Sequence, residues 1–308
     1  MRLDLIPKVK QMALTYNSAH PWERMTDMEL FRSAGLYEEN VKTGEKGFNL
    51  AAILLFGRDE IIRSCAPGYT TDALLRKENL DRYDDRLIVE TNLIEAFDQL
   101  MGFIAKHTLD RFFLVDNQRV SVRSWIAREV VSNILVHRDY ASTFPAKIII
   151  TQDCIYAENW NKSNFYGRID PNDFTPQPKN PLLASFFVNI GRADKLGSGV
   201  RNLYKYTKIY SGGEPELIEG DVFKTIIPLS VAEKEKLLVG QQPINQPIIE
   251  QEVFEYLKKN PEGTQKTISE ATGRSIYAVK NAVKSLQGKG IIKRTGANKN
   301  GKWIIVNE

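Results

Sequence analysis

The segment REVVSNILVHRDY, residues 128–140, holds the most informative pattern in the chain. Its apolar spacing predicts a helix over Ser121–Val136. Glu129 and Asn133 are four positions apart, so they share one face of that helix, and His137 follows one turn later. A carboxylate can act as a general base, and an amide oxygen can bind Mg²⁺. The segment therefore predicts a helix that presents a base and a metal ligand on one side.

The regions around this helix alternate between helical and extended patterns. Helices are predicted within 1–34, at 48–56 (FNLAAILLF, ended by Gly57), and at Asn92–Ile104, Pro181–Val188 and Gly199–Tyr210. Strands are predicted at Phe112–Val115, near Val120, and at Ala146–Thr151, Ile155–Glu158, Glu216–Glu219 and Val222–Pro228. A polar, proline-containing stretch, Asn159–Asn180, shows neither pattern. Stretches of this length without secondary structure are usually functional or mobile in compact domains.

A second chemical motif, Gly197-Ser198-Gly199, stands at the start of a predicted helix. A glycine turn before a helix offers backbone N–H groups to phosphate oxygens. Each motif also has a plain structural interpretation. Glu129 and Asn133 could belong to a solvated polar stripe, the glycines to an ordinary turn, and His137 to a hydrogen-bonded structural site. The functional interpretation depends on the order and spacing of the motifs taken together.

That order resembles the GHKL (Bergerat-type) ATPase fold of DNA gyrase and histidine kinases, in which one helix carries E-x-x-x-N. More specifically, the chain looks like the bacterial transcriptional regulators labelled "RecG-like C-terminal" or divergent ATPase. The resemblance covers roughly residues 45–230, and its motifs are NLAAILLFG (49–57), REVVSNILVHRDY (128–140), KNPLLASFF (179–187) and GRADKLGSGV (191–200). The chain has no G-x-x-x-x-G-K-[ST] phosphate loop, so it is not expected to be a P-loop helicase.

The resemblance implies an ATP–Mg²⁺ site. In it, Glu129 would be the general base that activates water and Asn133 the Mg²⁺ ligand, and the segment Asn161–Asp194 would act as a lid. The remaining nucleotide contacts would come from His137, Glu158, Asn159, Gly197, Ser198 and Gly199.

The chain departs from the family at the end of one strand. The family reads E-N-P-G there, and this chain reads Glu158-Asn159-Trp160-Asn161. A glycine lets a backbone approach a ligand closely, whereas Trp160 adds bulk. This departure predicts weakened adenine binding, and a degenerate nucleotide site is one interpretation.

The last part of the chain forms a separate unit behind a Gln- and Pro-containing linker at 232–247. Helices are predicted at Ile248–Lys259, from Thr264 to Gly273 with Ala271 facing inward, and from Ser275 to Gln287 with Ile276 in the core stripe. IIKRTGANKNGKWIIV (291–306) predicts a hairpin with a basic tip. The succession resembles a winged helix-turn-helix domain.

The charge of the chain is concentrated in this unit. The formal net charge is only +4, but residues 243–308 carry 9 Lys and 2 Arg against 6 Glu. Phosphate binding requires such a one-sided field, and Asn and Lys can read bases in the major groove. The predicted contacts with double-stranded DNA are Ser275, Tyr277, Lys280, Asn281, Lys284, Lys293, Arg294, Lys299 and Lys302. A protein-binding module with a solvated lysine face is the alternative interpretation of this unit.

Composition excludes several classes of protein. Two cysteines, Cys65 and Cys154, are too few for a disulfide scaffold, and the sequence has no Cys/His cluster for structural zinc. The N-terminal sequence lacks an apolar signal core, and no apolar run is long enough to span a membrane. A bacterial-type cytoplasmic protein is therefore expected.

The predicted fold class is α+β, a GHKL-like (Bergerat-like) α/β sandwich with a helical N-terminus and a winged helix-turn-helix. The predicted domains are a helical segment at 1–45 (the trailing end of a Schlafen/AlbA-type domain that the chain lacks), an ATP-binding domain at 46–231, the linker at 232–247 and a DNA-binding domain at 248–308. The predicted function is DNA-binding transcriptional regulation by a nucleotide-sensing protein, with ATP and Mg²⁺ as cofactors. The expected partners are DNA and a second copy of the chain in a homodimer. The alternatives are an active Mg²⁺-dependent ATPase that acts on nucleic acid or a protein, and a DNA-binding scaffold that binds no nucleotide.

Overall fold

The computed structural model of the chain describes residues 1–79, 81–115, 117–163, 165–173, 178–194, 198–229, 246–272, 276–288, 290–295 and 302–305, without the side chains of 246–249, 251, 277 and 278. The chain divides into two compact units. The first comprises Met1–Arg111 and Ser121–Val239, and the second comprises Phe112–Val120 and Gly240–Glu308.

The described part of the chain contains both helices and strands in each unit. The helices are α1 Ile6–Tyr16, α2 Asp27–Ser33, α3 Leu50–Phe56, α4 Asp59–Cys65, α5 Leu93–His107, α6 Val122–Val136, α7 Pro181–Asn189, α8 Ser198–Ser211, α9 Gln246–Lys259, α10 Gln265–Thr272 and α11 Ile276–Gly288, with short 3₁₀ turns at Leu3–Leu5 and Pro21–Arg24. The strands are β1 Tyr37–Glu39, β2 Lys46–Phe48, β3 Thr71–Leu75, β4 Asp85–Val89, β5 Phe113–Val115, β6 Gln118–Val120, β7 Ala146–Ile150, β8 Cys154–Trp160, β9 Gly167–Arg168, β10 Glu216–Glu219, β11 Val222–Pro228, β12 Ile292–Thr295 and β13 Lys302–Ile305.

A mixed sheet of seven strands, in the order β4-β3-β7-β8-β11-β10-β9, is the centre of the first unit. The β3–β7 pair is parallel, and the other neighbouring pairs are antiparallel. Side chains alternate between the two faces of a strand, and the buried set includes Ile148, Ile155 and Ala157. Helices α5, α6 and α8 contact the sheet. The chain is therefore a mixed α+β protein with a large mixed sheet.

Side-chain caps explain where several predicted helices begin. Thr26 and Glu29 form a reciprocal capping box at α2. The side chains of Asn49, Asn92 and Ser121 accept backbone N–H groups at the starts of α3, α5 and α6. These short-range signals are visible in the sequence, and the predicted starts of α2, α5 and α6 agree with the structure. The helix predicted from residue 48 instead begins at Leu50, because Phe48 belongs to β2.

The N-terminal segment packs against helix α7. Trp22 is 3% exposed, and its ring centroid lies 5.4 Å from that of Phe186 on α7. Phe56 of α3 contacts the same Phe186 ring at 5.6 Å, and His20 Nε2 lies 3.0 Å from Asn189 Oδ1 at the end of α7. The first part of the chain therefore belongs to the core that supports α7.

In the second unit, helices α9, α10 and α11 enclose a small apolar core with the β12–β13 hairpin. The core consists of Val253, Leu257, Ile268, Val279, Ala282, Val283, Leu286, Ile292 and Trp303. Trp303 of β13 donates its backbone N–H to Pro261 O at 2.7 Å and its indole N–H to Gly263 O at 3.0 Å. These bonds join the hairpin to the turn between α9 and α10.

Three expectations about elements are corrected. Asn159–Asn180 is not without secondary structure, because it contains the end of β8 and the short edge strand β9, which pairs with β10. Ile276 was expected in the core of α11, but it is 55% exposed because it lies in the first turn. Ala271 is likewise exposed, near the end of α10.

Candidate functional site

The first unit contains a cavity of about 970 Å³, near the upper end of the ~300–1,000 Å³ range typical of small-molecule sites. Helices α6 and α7 contribute much of its lining. The described lining residues are Glu129, Ser132, Asn133, Val136, His137, Asn161, Phe165, Arg168, Ile169, Asp170, Asp173, Pro178, Lys179, Pro181, Ala184, Ser185, Val188, Asn189, Ala193, Asp194, Gly199, Val200, Leu217, Glu219 and Phe223. Five of these side chains are acidic, and two, Arg168 and Lys179, are basic.

Glu129 is a buried carboxylate in the wall of this cavity. Only 3% of the residue is exposed, and burial raises the pKa of its carboxyl group above the usual value. Arg128 partly offsets this effect, because its Nη2 lies 3.1 Å from Glu129 Oε1 and 2.8 Å from Asp194 Oδ1. Asn202 Nδ2 donates to the other Asp194 oxygen at 2.6 Å. Glu129 is therefore held in position in the cavity wall with a carboxyl pKa above its usual value.

Asn133 and His137 line the same cavity along α6. His137 caps the C-terminus of the helix, and its backbone N–H donates to Asn133 O at 2.9 Å. Burial, with a further contribution from Lys179, lowers the pKa of the His137 imidazole to about 4. His137 is therefore neutral near pH 7, and at ~1.5 Å per residue it lies about 12 Å along the helix from Glu129.

The first turn of α8 reaches the wall next to Glu129. A Cβ atom added to Gly199 would lie 2.8 Å from Glu129 Oε2. Glycine at this position is what lets the helix approach the carboxylate so closely. Ser198 begins α8 but is not among the cavity-lining residues, and Gly197 lies outside the described residues. The two motifs predicted from the sequence thus meet through Glu129 and Gly199.

Two predicted nucleotide contacts do not face the cavity. Along β8, Glu158 is on the strand face opposite Ala157 and Asn159, and its carboxylate pairs with Lys147 Nζ at 3.1 Å and Tyr156 Oη at 2.6 Å. Asn159 is 2% exposed, and its Nδ2 donates to His137 O at 3.3 Å. These assignments are corrected, because Glu158 is turned away by the alternation of the strand and Asn159 serves the backbone.

The expected effect of Trp160 is also corrected. Its ring stacks on Phe144, with centroids 5.0 Å apart and planes 12° apart, and it does not line the cavity. The next residue, Asn161, does line it. Trp160 therefore adds no bulk to the described wall of the cavity. The side chain of Asn161 contributes to that wall instead.

Several lining residues were not identified from the sequence. Asn161, Lys179 and Glu219 form a buried hydrogen-bonded group, with Glu219 Oε1 accepting from Asn161 Nδ2 at 2.8 Å and from Lys179 Nζ at 3.1 Å. Ser132 on α6 also lines the cavity, and its hydroxyl donates to Arg192 O at 2.5 Å. The only available signal was a polar residue near the end of a predicted strand, beyond it for Asn161 and at its last position for Glu219.

The basic residues of the second unit are mostly exposed. Lys280 and Lys284 are exposed on α11, and Asn281 is half-buried between them. Lys293 and Arg294 are exposed on β12, with Arg294 over the Trp303 ring at 5.4 Å. Lys302 pairs with Glu262 at 2.8 Å. Ser275, Lys299 and the side chain of Tyr277 lie outside the described part of the chain.

Two general features bear on the class of site. Within the described residues, no group of three or more His, Cys, Asp or Glu side chains is arranged to hold a metal ion. None of the described helices has the length and apolar character needed to cross a membrane.

Comparison with known proteins is informative mainly about the fold. Residues 2–72 match a family described as a domain of unknown function, DUF8451. No curated protein sequence matches the chain. The crystal structure of the DIP2311 protein from Corynebacterium diphtheriae is similar to 97% of this chain, at 18% sequence identity and a TM-score of 0.52. The chain spans 61% of the length of that protein. This similarity shows a shared mixed α+β fold.

Proposed function

We propose that the cavity binds a nucleoside triphosphate with Mg²⁺ in the manner of GHKL proteins, and that the second unit, as a winged helix-turn-helix, binds double-stranded DNA. The protein would then be a nucleotide-responsive transcriptional regulator. The observation that carries the proposal is the convergence of Glu129, Asn133 and Gly199 on one cavity of suitable volume. These are the residue types that such chemistry requires, and they come from two motifs, Glu129 and Asn133 from one and Gly199 from the other.

The charges of the cavity support a metal-bound anion rather than a free one. Five acidic and two basic side chains in the described lining would repel a bare triphosphate. Mg²⁺ would offset most of this excess of negative charge, and oxygen ligands suit it. Asn133 Oδ1 would be its protein ligand, and Glu129 would hold the attacking water. The N-terminal turn of α8 would supply backbone N–H groups to phosphate oxygens.

An active ATPase is the second candidate, and the environment of Glu129 favours it. A general base works best when its pKa lies near the working pH, and burial raises the pKa of Glu129 in that direction. In a protein that only senses nucleotide, binding would be followed by no hydrolysis. It would change only how the two DNA-binding units of a homodimer are positioned to contact DNA.

Calorimetric titration and a phosphate-release assay separate these candidates. We expect wild-type protein to bind ATP–Mg²⁺ and Asn133→Ala to bind it at least about tenfold more weakly, because the metal loses its amide ligand. Turnover that Glu129→Gln abolishes without loss of binding would identify an ATPase, and binding without turnover would identify a sensor. Glu60→Gln, an exposed change on α4, is the matched control. A wild-type protein that binds no ATP–Mg²⁺ would overturn the nucleotide proposal.

A further inference from the structure

The two edges of the seven-stranded sheet differ in the length of backbone that they leave unpaired. At one edge, β9 consists only of Gly167 and Arg168. At the other edge, β4 consists of five residues, and among the described strands it pairs with β3 alone. A long edge strand presents a row of N–H and C=O groups with which a further strand can pair. Of the two described edges, β4 is the one with room for such a strand.

The pairing of β3 fixes which backbone groups of β4 point away from the sheet. Ala146 N–H donates to Thr70 O at 3.0 Å and Arg76 N–H donates to Ile150 O at 2.8 Å, so the even-numbered positions along β3 face β7. The odd-numbered residues of β3 therefore face β4, where they pair with its odd-numbered residues. By alternation along the strand, the N–H and C=O groups of residues 86, 88 and 90 point outward.

These three residues are Arg86, Ile88 and Glu90, and all of them are exposed. Ile88, the middle one, is 49% exposed. Asp72 takes two of the five guanidinium N–H groups of Arg86, at 2.9 and 2.8 Å, and Glu90 accepts a hydrogen bond from Thr70 Oγ1 at 3.2 Å. The edge therefore presents an apolar side chain between a cation and an anion.

An antiparallel copy of β4 complements this edge in one register. If Ile88 lies opposite Ile88 of the copy, Arg86 lies opposite Glu90 at both ends and Leu87 lies opposite Val89. Every facing pair is then either apolar or of opposite charge, and such pairs stabilise neighbouring strands. Moving the centre by one residue in either direction would place a charged residue opposite Ile88.

We propose that β4 is a homodimer interface, in which it pairs antiparallel with β4 of a second copy across a two-fold axis at Ile88. The outward N–H and C=O groups of Arg86, Ile88 and Glu90 form the hydrogen bonds between the two sheets, and each Arg86 binds Glu90 of the second copy. A two-fold interface uses the same patch on both chains, so the patch must complement itself, as this one does. One pair of strands is a small interface, and we expect the dimer to dissociate on dilution.

Sedimentation velocity over a wide range of protein concentrations tests the interface. We expect the wild-type chain to pass from monomer to dimer, and Ile88→Lys to raise the dissociation constant at least about tenfold because two ammonium groups would face each other. Ile304→Lys on β13 is the matched control, because Ile304 is also 49% exposed, and it should leave the constant unchanged. A wild-type chain that stays monomeric, or a dimer that Ile88→Lys leaves intact, would overturn the proposal. The measurement uses neither ATP nor DNA, so its failure would leave the proposed function untouched.

Charge reversal tests the register. Arg86→Glu alone opposes two carboxylates at each end, and Glu90→Arg alone opposes two guanidinium groups, so each variant should dimerise at least about tenfold more weakly than wild type. When the two variants are mixed, both ends regain opposite charges, and we expect a mixed dimer with an affinity near that of wild type. Thermal denaturation checks that each variant is folded. A mixture that associates no better than either variant alone would overturn the proposed pairing.

Discussion

At the residue scale, the burial of ionisable groups along one helix face defines the chemistry of the cavity. Glu129 remains inside because Arg128 bridges it to Asp194, since a buried charge needs a partner. Among the described residues His137 has no such partner, and its lowered pKa leaves it neutral near pH 7. The same helix thus presents a carboxylate with a raised pKa and an imidazole with a lowered pKa.

The lowered pKa of His137 predicts a specific loss of stability in acid. The unfolded chain takes up a proton near pH 6.5 and the folded chain only near pH 4. The stabilising difference is therefore complete above pH 6.5 and is lost as the pH falls to 4, by about 3 kcal/mol in total. We expect His137→Gln to lose less unfolding free energy than wild type over this interval, as measured by urea denaturation at a series of pH values. Parallel curves of unfolding free energy against pH for the two proteins would contradict the lowered pKa of His137.

At the element scale, the approach of α8 to α6 depends on a missing side chain. Gly199 sits in the first turn of α8, where alanine would be a better helix former. The space that its Cβ would need is occupied by Glu129 Oε2. Glycine here therefore serves the cavity at the expense of helix propensity.

Gly199→Ala should separate ligand binding from stability. We expect ATP–Mg²⁺ affinity to fall about tenfold because the Cβ displaces the carboxylate, while the melting temperature changes little. Gly102→Ala is the matched control, since it lies in helix α5 with no atom within 4 Å of the added Cβ. That change should stabilise the protein by up to about 1 kcal/mol and leave affinity unchanged. Unaltered affinity in Gly199→Ala would show that the carboxylate position is unimportant.

Elements with local signals could be predicted from the sequence, whereas the contacts of the cavity could not. The caps at Thr26, Asn92 and Ser121 lie within a few residues of what they stabilise, so those helices were predictable. Glu158 was misplaced because only the strand register decides which face a residue occupies. Glu219 was missed because its partners, Asn161 and Lys179, are distant in the sequence, and no local pattern connects them.

At the scale of the whole molecule, the excess of positive over negative charge lies in the last part of the chain. Residues 243–308 carry a net charge of +5, and the 242 residues before them carry −1. Lys280 and Lys284 lie exposed on α11, one helical turn apart. A field of this kind suits a polyanion, whereas five acidic and two basic side chains line the described wall of the cavity in the first unit.

Lys280→Ala/Lys284→Ala tests the DNA-binding proposal in the full chain. Loss of two phosphate contacts should weaken duplex binding and reduce the slope of log K against log salt by about 2. Fluorescence anisotropy with labelled duplex at several salt concentrations measures both quantities. Lys205→Ala/Lys208→Ala, two exposed positions on α8, should leave the slope unchanged. If wild-type protein ignores duplex DNA at low salt, the proposal is wrong.

The seven-stranded sheet has a consequence for the order of folding. It consists of three local hairpins, β3–β4, β7–β8 and β10–β11, and the edge strand β9. Two long-range pairings join the hairpins, Thr71 with Ala146 and Ala157 with Thr225. Hairpins form within ~1–10 μs, whereas pairings between distant segments must first overcome the entropy of closing a long loop. The hairpins should therefore form early, and the β3–β7 and β8–β11 pairings should form near the rate-limiting step. The cavity wall contributed by β10 and β11 is assembled only after the β8–β11 pairing has formed.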